Sequence, residues 1–287
     1  MDSFPLAGHL VRRVGFGAMQ LPGPGVMGPP RDRPEAVAVL RRAIELGVNH
    51  VDTAQYYGPD VANELIREAL HPYPEDLVLV SKVGAVRDER GGWPPAQRPD
   101  ELRRGVEDNL RTLGVERLGA VNLRLLTDEE RPARMDRVPL EDQLAEMVAL
   151  RDEGKVEGVG ISNATLEQVE TGLALAGLVC VQNPFSLLDQ HDGPVLDRCT
   201  QAGIAYVPFF PLGSAFPGLP KVTDDPAVRR VAERLDATPA QVGLAWLLSR
   251  APNLLLIPGT SRLAHLEENM RVGDLELSQG DLAELAR

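Results

Sequence analysis

Cysteine, net positive charge and long apolar runs are all scarce in this chain, and each shortage narrows what it can be. Only Cys180 and Cys199 carry thiols, without metal-type spacing or a partner histidine cluster, so neither a disulfide framework nor a metal site is expected. Both read as reduced, buried side chains. A formal net charge of −12 argues against nucleic acid or an anionic membrane as the main partner, since both reward a basic surface. No apolar run approaches the ~20 residues of a membrane span. The start, MDSFPLAGHL, lacks the charged head and apolar core of a signal peptide, which makes the cytoplasm the expected compartment. No repeat of fixed period and no low-complexity tract occurs.

What is present is the material of a soluble globular protein: 43% hydrophobic and 25% charged residues in 287, with Gly and Pro spread among turns. Short β-branched runs alternate with amphipathic stretches. Strands are expected at 48–51, 77–81, 119–123, 156–161, 178–181, 204–209 and 254–257, with helices following each, and a weak eighth strand near Leu275. Residues 6–17 read as an N-terminal hairpin and 18–32, rich in Pro and Gly, as a loop. The pattern favours one (β/α)8 barrel domain over residues 1–287, an α/β TIM barrel with an N-terminal β-hairpin cap, rather than an open sheet. Three longer loops, 85–98, 126–138 and 212–225, are expected to lie over its mouth.

The centre of the pattern is NHVDTAQYYG, from Asn49 to Gly58, where a strand delivers Asp52 to a turn holding Tyr57. Two other strands end in Lys82 and Arg124. In parallel α/β proteins ligands bind at the carboxyl ends of strands, so neighbouring strands would bring these four side chains to one mouth. A phenol with a pKa of ~10 is a poor acid at neutral pH. A nearby ammonium lowers that value and a carboxylate keeps the ammonium charged, so Asp52, Lys82 and Tyr57 are the types that make a tyrosine a general acid. Taken singly, Asp52 reads as a helix cap, Lys82 as a surface charge and Tyr56 as packing. The turn Ile257–Arg262 offers amides, hydroxyls and a cation to a phosphate, or is ordinary capping by Thr260 or Ser261. Phe209 and Phe210 offer a stacking face, or core packing.

These residues carry a resemblance over nearly the whole chain. GFGAM at 15–19, VDTAQYYG at 51–58, VSKVG at 80–84, GISN at 160–163, VQNPFS at 181–186, PFFPLG at 208–213 and IPGTSRLAHLEEN at 257–269 stand in the order found in aldo-keto reductases. Within that family the chain most resembles bacterial pyridoxal reductase-like members, through AMQLPGPGV and VNLR. The resemblance implies an eight-stranded barrel that binds NADPH and reduces aldehydes and ketones. It implies catalytic roles for Asp52, Lys82 and Tyr57, with Tyr57 as proton donor, and nicotinamide carboxamide contacts from Ser162, Asn163 and Gln182. Phe209 stands where the family stacks an aromatic ring on the nicotinamide. Further cofactor contacts are implied for Gly17, Ala18, Met19, Asp52, Pro211, Leu212 and Gly213. Gly259, Thr260, Ser261, Arg262 and His265 occupy the region that meets the adenosine 2′-phosphate, and Glu268 with Asn269 the adenine. His265 replaces a common arginine, which leaves NADH as an alternative cofactor. Arg124 stands where most members have histidine; a guanidinium donates hydrogen bonds but shuttles no proton, so assistance in substrate orientation is expected of it. A small-molecule carbonyl, pyridoxal first, is the expected substrate. Two other readings remain: an NADPH-binding sensor with little turnover, and a lyase forming a Schiff base on Lys82.

Overall fold

Successive residues of a strand face opposite sides of a sheet, so the parity of each strand decides which side chains reach the barrel interior. The computed structural model describes residues 2–126, 138–213 and 220–286. A hairpin comes first, β1 (Ser3–Leu6) antiparallel to β2 (His9–Arg12). Its Ala7-Gly8 turn takes φ of 50° and 86°, the positive values that match the twist of a tight hairpin. Seven parallel strands then follow in chain order: β3 (Phe16–Gly17), β4 (His50–Asp52), β5 (Val78–Val83), β6 (Leu118–Arg124), β7 (Val156–Ser162), β8 (Cys180–Gln182) and β9 (Ala205–Tyr206). The ring closes through residues 254–256. Tyr206 bridges Leu254 and Val14 bridges Leu256, both in parallel sense, with Leu255 N donating to Tyr206 O at 3.0 Å and Gly15 N to Leu256 O at 2.8 Å. The fold is the expected (β/α)8 barrel.

Two expectations are corrected by this closure. The hairpin occupies Ser3–Arg12 rather than 6–17, and residues 14–17 form the first barrel strand. No strand forms near Leu275, which ends a 3-10 turn over Arg271–Asp274. The physical reason lies in the glycines. Residues 254–256 need a parallel partner, and only a backbone without Cβ can approach so closely: a Cβ on Gly17 would lie 2.5 Å from Ile257 O.

Helices α1 (Arg33–Glu45), α2 (Val61–Leu70), α3 (Pro99–Leu113), α4 (Leu140–Asp152), α5 (Leu166–Ala176), α6 (Gly193–Ala202), α7 (Pro226–Arg234), α8 (Pro239–Arg250), α9 (Leu263–Met270) and α10 (Gln279–Leu285) surround the strands. Their starts follow capping chemistry. Asp32, Thr165, Thr238 and Ser278 each accept a bond from the amide three residues on. The helix expected from 59 begins at Val61, because Asp60 adopts a left-handed φ of 64°. Outward strand residues such as Val51, Val121 and Ile161 pack with Leu40, Leu65 and Leu102 of the helices. Inward residues Val78, Val80, Ala120, Cys180, Ala205 and Leu255 form a second core, plugged from the hairpin by Leu6 and Val11. Toward the carboxyl ends of the strands the interior turns polar. No helix among the described residues is long and apolar enough to cross a membrane.

His50 lies in this interior, two residues before Asp52, with both ring nitrogens buried and lacking a hydrogen-bond partner among the described residues. Burial lowers its pKa from 6.5 to about 4. A histidine depressed in this way is neutral when folded and protonated when unfolded, so stability is complete above pH 6.5 and falls as pH drops toward 4. The loss across that window is expected to reach ~3 kcal/mol. Urea unfolding at pH 7 and pH 4 checks it: His50→Phe should flatten that part of the acid dependence, and equal pH slopes in both proteins would exclude His50 as its source.

Candidate active site

Parity places Asp52, Lys82, Asn122, Arg124, Ser162 and Gln182 on the inward side of five neighbouring strands, at their carboxyl ends. The Lys82 ammonium donates to Asp52 Oδ1 and, at 3.2 Å, to Thr53 O. Gln182 Nε2 donates to the other carboxylate oxygen at 3.1 Å. Asp52 is 4% exposed and Lys82 8%. A buried ion pair survives only where its remaining bonding capacity is met, and here a carbonyl and an amide meet it.

Tyr57 stands beside this pair on the β4–α2 turn, with the Lys82 ammonium 5.1 Å from its ring centroid. The turn is clasped by the preceding loop: Gly58 N donates to Val26 O at 3.2 Å and Gly28 N to Gly58 O at 2.8 Å. Tyr56, read from sequence as packing, is buried and meets Tyr57 edge to face at 5.5 Å. Loop 85–98 reaches the same place. Trp93 meets Tyr57 at 6.2 Å and Tyr56 at 5.5 Å, both edge to face. Arg87 covers Trp93 at 3.8 Å and donates to Gly25 O at 2.8 Å, tying two loops across the tyrosines. Of the other two expected covering loops, residues 127–137 and 214–219 lie outside the described residues.

The electrostatics correct one expectation. Tyr57 is held well above the usual phenol value, first by burial and then by Asp52, while Arg124 pulls it down. The net state is therefore a phenol that keeps its proton. Arg124, half-buried at the end of β6, also pulls Tyr56 down. Its carbonyl accepts from Gln97 Nε2 at 2.9 Å.

The residues matched to the cofactor fall into two groups joined by Gly17. In the inner group, Ser162 pairs in register with Gln182, and Asn163 takes a left-handed φ of 59° as its N–H donates to Gln182 O at 3.2 Å. Gln182 Oε1 is buried with no partner among the described residues, an acceptor suited to a carboxamide N–H. Phe209 is half-buried and packs edge to face on Phe210 at 5.1 Å, with Pro211, Leu212 and Gly213 following, each half-buried. In the outer group, Gly259 abuts Gly17, which itself pairs in register with Asp52 and leads into the turn Ala18–Gln20 that holds Met19. Thr260 Oγ1 accepts from Arg262 N at 3.1 Å within the turn, while α9 starts after Arg262 without a side-chain cap from Thr260 or Ser261. Ser261, Arg262 and His265 are exposed at the start of α9, while Glu268 is half-buried and Asn269 buried farther along. Residues that the sequence reading passed over are Trp93, Arg87, Asn63 and Asn109. The asparagines had a signal: both fall on the apolar stripe of a helix, where an amide is unfavourable unless it has buried partners.

Similarity to known proteins agrees with this arrangement. The chain is 48% identical to the pyridoxine 4-dehydrogenase of Escherichia coli over 285 residues, covering 99% of this chain and 97% of that protein. It is 38% identical to an uncharacterized oxidoreductase of Schizosaccharomyces pombe, over 96% of this chain and 86% of that one. Among solved structures, an aldo/keto reductase from Klebsiella pneumoniae in complex with NADP and acetate superposes with a TM-score of 0.82 at 25% identity, covering 99% and 94% of the two chains. The thermostable aldo-keto reductase Tm1743, bound to the inhibitor epalrestat, superposes with a TM-score of 0.83 at 28% identity, covering 99% and 98%. The pattern of the aldo/keto reductase family matches residues 13–287, from the first barrel strand through all four strand ends that carry Asp52, Lys82, Ser162 and Gln182. This chain therefore belongs to the aldo/keto reductase family and is an oxidoreductase.

Proposed function

We propose that the protein reduces the 4-aldehyde of pyridoxal to the alcohol with NADPH, using Tyr57 as the proton donor. The observation that carries the reading is a buried Asp52–Lys82 pair beside a protonated phenol, next to an unpartnered carboxamide acceptor on Gln182. The substrate rests on the pyridoxine 4-dehydrogenase relative, whose reaction run backward is this reduction. Ser162, Asn163 and Gln182 would hold the nicotinamide carboxamide, Phe209 the ring, and Gly259 through Asn269 the adenosine end. When bound, NADPH supplies the hydride. Tyr57 then donates its hydroxyl proton to the carbonyl oxygen. Arg124 supplies the charge that eases proton loss from the phenol, which extends its expected role beyond substrate orientation. Asp52 pairs with the Lys82 ammonium and seats it beside the ring. Trp93 adds aromatic surface beside Tyr57, which supports an aromatic aldehyde as substrate. The net charge of −12 supports small molecules, not nucleic acid, as partners of a single cytoplasmic barrel domain.

Following nicotinamide absorbance with NADPH and with NADH against pyridoxal, other aromatic aldehydes and sugar aldehydes tests the reading. Turnover should be fastest with pyridoxal. Because burial and Asp52 hold the Tyr57 proton, the reduction rate should stay level with rising pH until above ~10, the ordinary phenol value. Tight NADPH binding without turnover on any carbonyl would instead support the sensor reading, and borohydride trapping of substrate on Lys82 the lyase.

A further inference from the structure

Behind the Asp52–Lys82 pair, on the helix side of the same strands, lies a closed set of buried amides and hydroxyls. Thr53 Oγ1 donates to Asn63 Oδ1 at 2.8 Å, and Asn63 Nδ2 donates to Asn109 Oδ1 and Thr112 Oγ1, each at 2.9 Å. Ser81 Oγ donates to the same Asn109 Oδ1 at 2.5 Å, and Asn109 Nδ2 to Gly105 O at 2.8 Å. Thr53, Asn63, Ser81 and Asn109 have no exposed surface at all. Asn63 donates both amide N–H groups and accepts at Oδ1, and Asn109 accepts two bonds at Oδ1 while donating to Gly105, so the amide orientations fix one another.

Its placement ties it to the chemistry. Thr53 follows Asp52 and Ser81 precedes Lys82, so strand alternation turns these hydroxyls toward α2 and α3 while the ion pair faces the interior. The Thr53 carbonyl is itself a Lys82 acceptor. Asn63 lies in the first turn of α2, where Ala62 N donates to Tyr57 O at 3.1 Å. One bracket thus fixes the ends of β4 and β5 and the turn that carries the phenol.

We infer that Asn63 and Asn109 are positioning residues for the reduction, holding Asp52, Lys82 and Tyr57 in mutual register without touching substrate or cofactor; this rests on the reductase reading above. A displacement of about 1 Å far from the reacting atoms can cost ~100-fold in rate. Asn63→Asp keeps the acceptor and removes both donors, and Asn109→Ala removes the shared acceptor. In each, kcat for pyridoxal reduction should fall about 10-fold or more at little changed KM for NADPH, and the alkaline limb of the kcat profile should move. Thr53→Val and Ser81→Ala cut the two strand-side bonds with little change in volume and should lower kcat in the same sense. These conservative variants decide the matter if an asparagine variant does not fold. Folded variants that unfold at lower urea yet keep the wild-type kcat and pH profile would reduce the bracket to a structural role and overturn the inference. Absence of turnover in the wild-type protein, or full turnover in Tyr57→Phe, would instead remove the reductase reading.

Discussion

Tyr57→Phe is expected to lower kcat for carbonyl reduction by about 10² to 10⁴, the range that a positioned general acid contributes. The substitution removes one oxygen and leaves the ring in its edge contacts with Tyr56 and Trp93. Folding stability should change little. Cofactor binding should also survive, because apart from Asp52 the residues matched to NADPH lie on other strands, their loops and α9. Single-turnover kinetics together with quenching of protein fluorescence by NADPH separate the two effects. A variant that binds cofactor and turns over at the wild-type rate would eliminate Tyr57 as the proton source. The high pKa of the phenol does not weaken the assignment. It keeps the acid loaded at every working pH, while Arg124 lowers the cost of giving the proton up.

Lys82→Met carries the largest expected effect on stability. It strips the Asp52 carboxylate of its counter-ion in a site where the aspartate is 4% exposed, leaving Gln182 as the donor that remains in place. Breaking one side of a buried pair costs roughly 3–5 kcal/mol, mostly the penalty of an uncompensated charge. Replacing both partners removes that penalty, so Asp52→Asn with Lys82→Met should regain much of the loss. Urea unfolding of the two single variants and the double completes the cycle. Additive losses would show that the two side chains do not stabilise each other. The double variant should remain without reductase activity despite its recovered fold, because the charge over the phenol is gone.

Much of the scaffold was legible in the residues. Strand and helix alternation is written in apolar spacing, and helices such as Gly193–Ala202 and Pro239–Arg250 fell where their flanking Gly, Thr and Pro place them. The first barrel strand was not legible. Gly15-Phe16-Gly17 has almost none of the β-branched content that marks a strand, since it exists to pass close to Ile257 and Gly259. The eighth strand was consequently sought at Leu275, where only a 3-10 turn forms.

The site divides in a similar way. Asp52, Lys82 and Tyr57 could be nominated because each ends a strand or begins the turn beyond it, and order along the chain maps onto order around a parallel barrel. Their chemistry could not be read in the same way. Whether a lysine acidifies a tyrosine depends on burial and on what else touches the lysine, and these are sums over neighbours remote in sequence. Here burial and Asp52 raise the phenol, and Arg124, from the end of another strand, opposes them.

Residue identity and spacing alone thus gave the strand and helix alternation that favours a barrel, the family pattern and the nomination of three side chains for its mouth, because parity and periodicity are local properties of a chain. Only the tertiary structure decided that burial and Asp52 raise the Tyr57 phenol, that Trp93 and Arg87 close over it, and that Asn63 and Asn109 brace it from behind. Those facts are distances between residues far apart in sequence, and no local pattern encodes a distance across the fold.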